Sequence, residues 1–330
     1  MITEMQEQVR VQFAQLINAR VSEISYVPST LVGENVVVAG LDMLRSGGNV
    51  VTDALHFEAS IYMYQELAKQ GLDVRIVRPR DWRIDLRDLE KVVDRKTKLI
   101  ALSLVSFVNG FQHDLKAVCE LAHAHGAYVY ADIVQAAGAI PIDVKANGVD
   151  FCACASYKWL MGDMGLGFLY VREELLDKVI RRTQFGARQL SDFQFHIFPY
   201  DLPGRSVASW EQVKGARGYF EVGTISNTTV ACLSYSLNYI MQLGAENIQA
   251  HTQLLIRRLI KEMPGLGFES LTPPGTSSPI VTFVVKQPEQ VAARLKEAQI
   301  DVTIIGHRMR ISPSVYNDER DIDRLLGALA

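Results

Sequence analysis

Between residues 49 and 171, short apolar runs alternate with amphipathic stretches, and this rhythm constrains the chain more than any other feature of it. Residues 49–52, 74–77 and 98–105 read as strands, and apolar side chains recur at helical spacing over 59–70 and 86–92. Strands that alternate with helices require crossovers, and crossovers cover both faces of a mostly parallel sheet. Asp114 caps a further helix whose Leu115, Val118, Leu121 and Ala122 form one stripe, and Gly126 ends it. Residues 127–131 then deliver Asp132 to the carboxyl end of a strand, the end at which open α/β sheets bind ligands. Strands at 150–155 and 167–171 continue the set, and helices at 7–17 and 33–44 precede it.

Residues 188–218 break the rhythm. They are aromatic, carry Pro199, Pro203 and Gly204, and read as a long surface loop of a kind that often has a function. After helices at 230–243 and 251–263, Pro264-Gly265 opens a second group: strands at 280–285, 302–305 and 309–311, with helices at 288–298 and 318–329. The expectation is a large α/β domain over residues 1–245 and a small α+β domain over 246–330, a division that 330 residues permit at roughly 100–200 per domain.

Charge and hydropathy exclude several classes of partner. Lys and Arg total 34 against 37 Asp and Glu, so no global basic field draws nucleic acid or an anionic membrane. The longest apolar runs, such as 36–41, fall far short of the roughly 18 residues a membrane span needs. The first residues lack both a basic-then-apolar leader and an Arg-rich presequence, and the four cysteines make no disulfide framework, so cytoplasm is the expected compartment.

Asp132 and Gln135 lie three apart at one strand end, and Ser156-Tyr157-Lys158-Trp159 follows the next strand. Both sets converge on one rim. A lysine at a buried strand end is a candidate Schiff-base former, because desolvation lowers its amine pKa, and a nearby carboxylate can keep a pyridinium nitrogen protonated. Lysine with carboxylate is the signature of pyridoxal-phosphate sites, but the same pair also reads as an ion pair between solvated loop ends.

The blocks 131–138, Pro141-Ile142-Asp143, Gly148-Val149-Asp150-Phe151, Ser156-Tyr157-Lys158-Trp159-Leu160 and Gly165–Val171, with Phe220-Glu221-Val222-Gly223-Thr224 and Met309-Arg310-Ile311-Ser312, carry a stronger signal. In order and spacing they resemble the pyridoxal-phosphate enzymes of the class V aminotransferase superfamily, in the branch of cysteine desulfurases, isopenicillin N epimerase, kynureninase and carbon–sulfur lyases. The resemblance runs from about residue 21 to the end and places the start later than in most members, whose extra segment often helps cover the active site. It implies a fold-type I pyridoxal-phosphate transferase fold and a homodimer.

Residue by residue, the resemblance implies that Lys158 binds pyridoxal 5'-phosphate covalently, that Asp132 pairs with the ring nitrogen, and that Gln135 serves the phenolic oxygen. Ser29, Thr30 and Leu31 open a helix where an anion is favoured, and with Ser156 and Tyr157 they would hold the phosphate. Phe57 falls where the family stacks a ring on the cofactor, often a histidine in desulfurases, and Tyr157 resembles the kynureninase arrangement. Arg310 matches the clamp for a substrate α-carboxylate, Thr224 would reach a neighbouring subunit's phosphate, and Asn109 either faces the substrate or forms a turn with Gly110.

The implied substrate is an α-amino acid, with Lys158 removing a Cα proton. The resemblance makes Gln135, where aminotransferases often carry serine, favour β-elimination at a Cβ–S bond over transamination, with an epimerase, which shares the glutamine, as the alternative in the same superfamily. No cysteine follows Cys232, so a protein persulfide of the desulfurase kind has no carrier. A noncatalytic binding protein on the same fold is the alternative from another class, and intact Lys158, Asp132, Gln135 and Arg310 speak against it. Gly162–Gly167 has dinucleotide-loop composition but precedes a strand, which is the wrong context. His123 and His125, two apart on a helix, face different ways and share no metal, while Cys152 and Cys154 read as small buried hydrophobes.

Overall fold

The computed structural model describes residues 2–330. Seven strands form the main sheet: β1 (Ile24–Val27), β2 (Asn49–Asp53), β3 (Asp73–Val77), β4 (Thr97–Ser103), β5 (Tyr128–Asp132), β6 (Phe151–Ala155) and β7 (Gly167–Val171). Their order is β1-β7-β6-β5-β4-β2-β3, with β3, β2, β4, β5 and β6 parallel and β7 antiparallel to both of its neighbours. The winding reverses between β2 and β4, and at such a switch point the carboxyl ends of the strands leave a crevice.

Every residue of β2, β6 and β7 is buried, because both faces of the sheet are covered. Alternate side chains enter two apolar clusters. Val51, Ile100, Val129 and Cys152 pack on one face with the helices Ile2–Leu16, Leu115–Ala124 and Asn227–Leu243; Val50, Leu99, Tyr130 and Phe151 pack on the other with the helices Thr30–Gly40 and Glu58–Lys69. The helix Thr30–Gly40 rides low on β6: a Cβ at Gly33 would lie 2.8 Å from Ala153 Cβ. That close approach holds the helix's first turn over the end of β6, beside Lys158.

Beyond the main sheet, β8 (Leu190–Phe195) and β9 (Ala208–Gln212) form an exposed antiparallel hairpin. A third sheet of order β10-β12-β11 is built from β10 (Val281–Val284), β11 (Thr303–Ile305) and β12 (Arg308–Ile311). It packs Val281, Phe283 and Met309 against Leu255, Leu259 and Ile322 in a separate apolar cluster.

Three differences from the sequence reading have local causes. The stretch 188–218 is a hairpin rather than a plain loop. The helix expected over 33–44 starts at Thr30, where the Ser29 hydroxyl accepts from Val32 N at 3.2 Å, and breaks before the left-handed Asp42. Strand β1 escaped notice: it is four residues long, lies at the edge and pairs with β7, which follows it by more than a hundred residues.

Candidate active site

Across the carboxyl ends of β4, β5 and β6, roofed by the first turn of the helix Thr30–Gly40, lies a pocket of about 570 Å³. Of the residues expected there, Ser29, Thr30, Leu31, Phe57, Asp132, Gln135, Tyr157 and Lys158 line it.

Asp132 ends β5, buried. Its Oδ1 accepts from Val134 N at 2.9 Å, and burial pushes its carboxyl up to about 6 against the opposing charge of His56. Lys158 follows β6 in a half-buried turn. Burial lowers its amine pKa and the charge of Arg310 adds to this, while Asp132 opposes both. The result is a lysine with weakened hold on its proton beside a carboxyl with strengthened hold on its own, a pairing that marks acid–base sites.

Gln135 is fixed by a single bond. Trp159 Nε1–H lies 3.1 Å from Gln135 Oε1, and an indole can only donate, so the amide Nε2 is left as the free donor. Gly138 keeps this contact close: it takes φ +89°, and a Cβ there would stand 2.9 Å from Trp159 O. At the helix start, Thr30 Oγ1 accepts from Ala155 N at 2.9 Å, which ties the anion-favouring turn to the end of β6.

Two residues named from the sequence are not among those that line the pocket. Asn109 is fully buried elsewhere: its amide donates to Trp82 O at 2.6 Å and Leu271 O at 3.2 Å, and its Oδ1 accepts from Phe111 N, so it braces a loop while Phe107 takes the pocket wall. Ser156 donates its hydroxyl to Asp163 O at 2.5 Å, within the turn that carries Lys158.

Thr224 is exposed and lines a different recess of about 610 Å³, with Tyr26, Val36 and Glu221. Arg310, on β12, stands one wall away. It donates from Nη1 to Phe107 O at 3.1 Å and from Nη2 to Thr303 Oγ1 at 3.2 Å, while its buried Nε has no hydrogen-bond partner among the described residues.

The pocket also contains residues the sequence did not single out. Ser103 ends β4 opposite Asp132, and Phe107 meets Phe57 edge to face at 5.7 Å. Had β4 been read as ending at Ser103 instead of running on to 105, Ser103 would have stood out as a strand-end hydroxyl beside Asp132.

The donor set fits pyridoxal phosphate. It offers a helix start for an anion, an amine with lowered pKa, a carboxyl with one oxygen held by the backbone, a free amide donor and an aromatic wall.

The chain matches the family model Aminotransferase class-V over residues 1–325. It is 29% identical over 353 aligned positions to a cysteine desulfurase of Shigella sonnei (strain Ss046), covering 99% of this chain and 82% of that protein. A cysteine desulfurase of Escherichia coli (strain K12 / DH10B) gives the same identity and coverage. Among solved structures, the apo cysteine desulfurase of Thermococcus onnurineus NA1 superposes with a TM-score of 0.84 at 24% identity, covering 100% of this chain and 84% of that one. The cystine C–S lyase C-DES, in complex with its product cysteine persulfide, gives 0.82 at 22% identity, covering 99% and 86%.

Proposed function

Because this chain belongs to the class V aminotransferase family, we propose that its pocket binds pyridoxal phosphate and cleaves a Cβ–S bond of a sulfur-containing α-amino acid by β-elimination. The observation that carries the reading is Lys158, its proton weakly held, in one pocket with the buried Asp132. The cysteine desulfurases and the cystine lyase to which the chain is similar support the choice of bond.

When bound, pyridoxal phosphate supplies an electron sink for the pair left at the substrate's Cα. Asp132 would hold the proton on the ring nitrogen, Gln135 Nε2 would donate to the phenolic oxygen, and Ser29, Thr30 and Leu31 would hold the phosphate at the helix start. Phe57, which lines the pocket, would pack against the ring. Arg310, one wall away, would take the α-carboxylate and set the substrate's orientation. Lys158 removes the Cα proton and returns a proton to the departing sulfur. The balance is one thiol or persulfide, pyruvate and ammonium from one amino acid and one water.

Sulfur leaves with the substrate fragment because no cysteine lines the pocket. Cys119, Cys152 and Cys154 are buried, with burial pushing all three thiols up, Cys119 to about 12. Cys232 is exposed on the helix Asn227–Leu243.

Assembly as a homodimer is part of the reading, supported by Thr224 and its recess and by the exposed aromatic hairpin. Residues 246–330 form the smaller domain. No helix among the described residues is long and apolar enough to cross a membrane, and four free cysteines support a reducing, cytoplasmic setting.

The test incubates the enzyme with a cysteine S-conjugate and, separately, with an amino acid plus an oxo acid. Pyruvate and ammonia from the first support the lyase. Amino transfer in the second with no elimination in the first rejects it.

A further inference from the structure

Beneath the pocket lies a buried polar chain to which the reaction above gives no role. Glu34, on the inward side of the helix Thr30–Gly40, is fully buried. Its Oε1 accepts from Tyr64 Oη at 2.8 Å and lies 3.1 Å from His56 Nε2, and its Oε2 accepts from Ser60 Oγ at 2.5 Å. Among the described residues these are its hydrogen-bond partners, and only His56 can carry a positive charge. Three donors around one carboxylate fix His56 with a proton on Nε2. Its other nitrogen, Nδ1, lies 2.9 Å from Ser103 Oγ, and Ser103 lines the pocket as the sheet neighbour of Asp132.

The charges around His56 come from every packed element. Glu34 faces it from the helix, Asp53 from the end of β2 and Asp132 from the end of β5; His113 lies 3.2 Å from Asp53, and Lys158 stands on the pocket side of Asp132. Burial weakens the ring's hold on a second proton, but these carboxylates, Glu34 foremost, outweigh it and raise the imidazole above its ordinary range.

The two charge states of His56 present different serines to the pocket. With Nδ1 protonated, the ring donates to Ser103 Oγ and the serine's own O–H is released to the pocket, where Asp132 is its neighbour across the sheet. With Nδ1 bare, the serine spends its proton on the ring and offers the pocket only lone pairs.

We propose that His56, seated on Glu34, is a positioning residue that orients Ser103 so that its hydroxyl proton faces Asp132 and helps hold that carboxylate for the ring nitrogen. The proposal rests on the pyridoxal-phosphate reading of the pocket, and its test separates the two.

In cofactor-free protein labelled at histidine, NMR titration of the His56 ring reads the pair directly. The wild-type ring stays protonated at neutral pH, and Glu34→Gln lowers its midpoint by about one unit or more. A wild-type ring that is neutral throughout pH 6–8 overturns the proposal.

In loaded protein, the pH titration of cofactor absorbance shifts in the same direction in His56→Gln and Ser103→Ala, and the cofactor dissociation constant rises about tenfold in the former. Ser103→Ala removes one hydroxyl and keeps the test decisive if Glu34→Gln fails to fold. An unchanged absorbance titration in Ser103→Ala overturns the proposal whatever the charge of His56. Wild-type protein that takes up no pyridoxal phosphate rejects the functional reading instead, and the His56 titration still decides the pair.

Discussion

At the pocket floor, Asp132, Gln135, His56 and Glu34 are buried, and each has a hydrogen-bond partner from the same chain. In the hairpin β8–β9 and its connection, Phe195 is 48% exposed, Trp210 56% and Tyr200 99%. Its rings find mainly one another: Phe193 meets Phe195 at 4.8 Å and stacks on Trp210 at 6.4 Å. The pocket floor is packed by its own chain, whereas the hairpin displays apolar surface of the kind that marks an interaction site. We propose that this site takes a second copy. On that proposal the pocket floor carries the chemistry and the hairpin the assembly, and variants in the two regions separate these properties.

The largest effect belongs to Asp132. Asp132→Asn lowers turnover about 1,000-fold, because the ring nitrogen loses the partner that keeps it protonated. In cofactor-free protein the same change is stabilising above pH 6, by roughly 3 kcal/mol. Its cause is the raised carboxyl: at about 6 against an ordinary 3.8, the folded chain keeps a proton that the unfolded chain releases. Stability therefore falls as pH rises through roughly 4 to 6 in the wild type, and the asparagine variant lacks that slope. Urea denaturation across this range, with assays of the loaded enzyme, checks both halves.

Next comes the hairpin. Phe193→Ser with Trp210→Ser weakens the homodimer about 100-fold, seen by sedimentation at micromolar protein, and leaves cofactor-free stability within about 1 kcal/mol of wild type. A dimer unmoved by the double change breaks the comparison. Arg310→Ala is the smallest: KM for the amino acid rises about 10- to 100-fold with the dimer intact, since one charge-assisted clamp is lost.

Most of the central sheet was legible because its inner strands are largely buried apolar runs between amphipathic helices, whereas the edge strand β1 was not, and Lys158, Asp132 and Gln135 stood out because they follow adjacent strands at one end. Asn109 and Ser156 were less legible for a shared reason: a polar residue near a strand end can serve either a ligand or the loop's own backbone, and only the fold shows which backbone groups they bond. Glu34 and His56 left no trace in the sequence. They lie 22 residues apart, and neither helical spacing nor strand alternation announces that two charged groups meet inside the core.

The claim that joins these regions is that Lys158 holds pyridoxal phosphate. Borohydride reduction of cofactor-loaded protein followed by peptide mapping tests it most directly. The account predicts one pyridoxyl label, on Lys158, and none in Lys158→Ala; a label on another lysine, or no label after reconstitution, would contradict it.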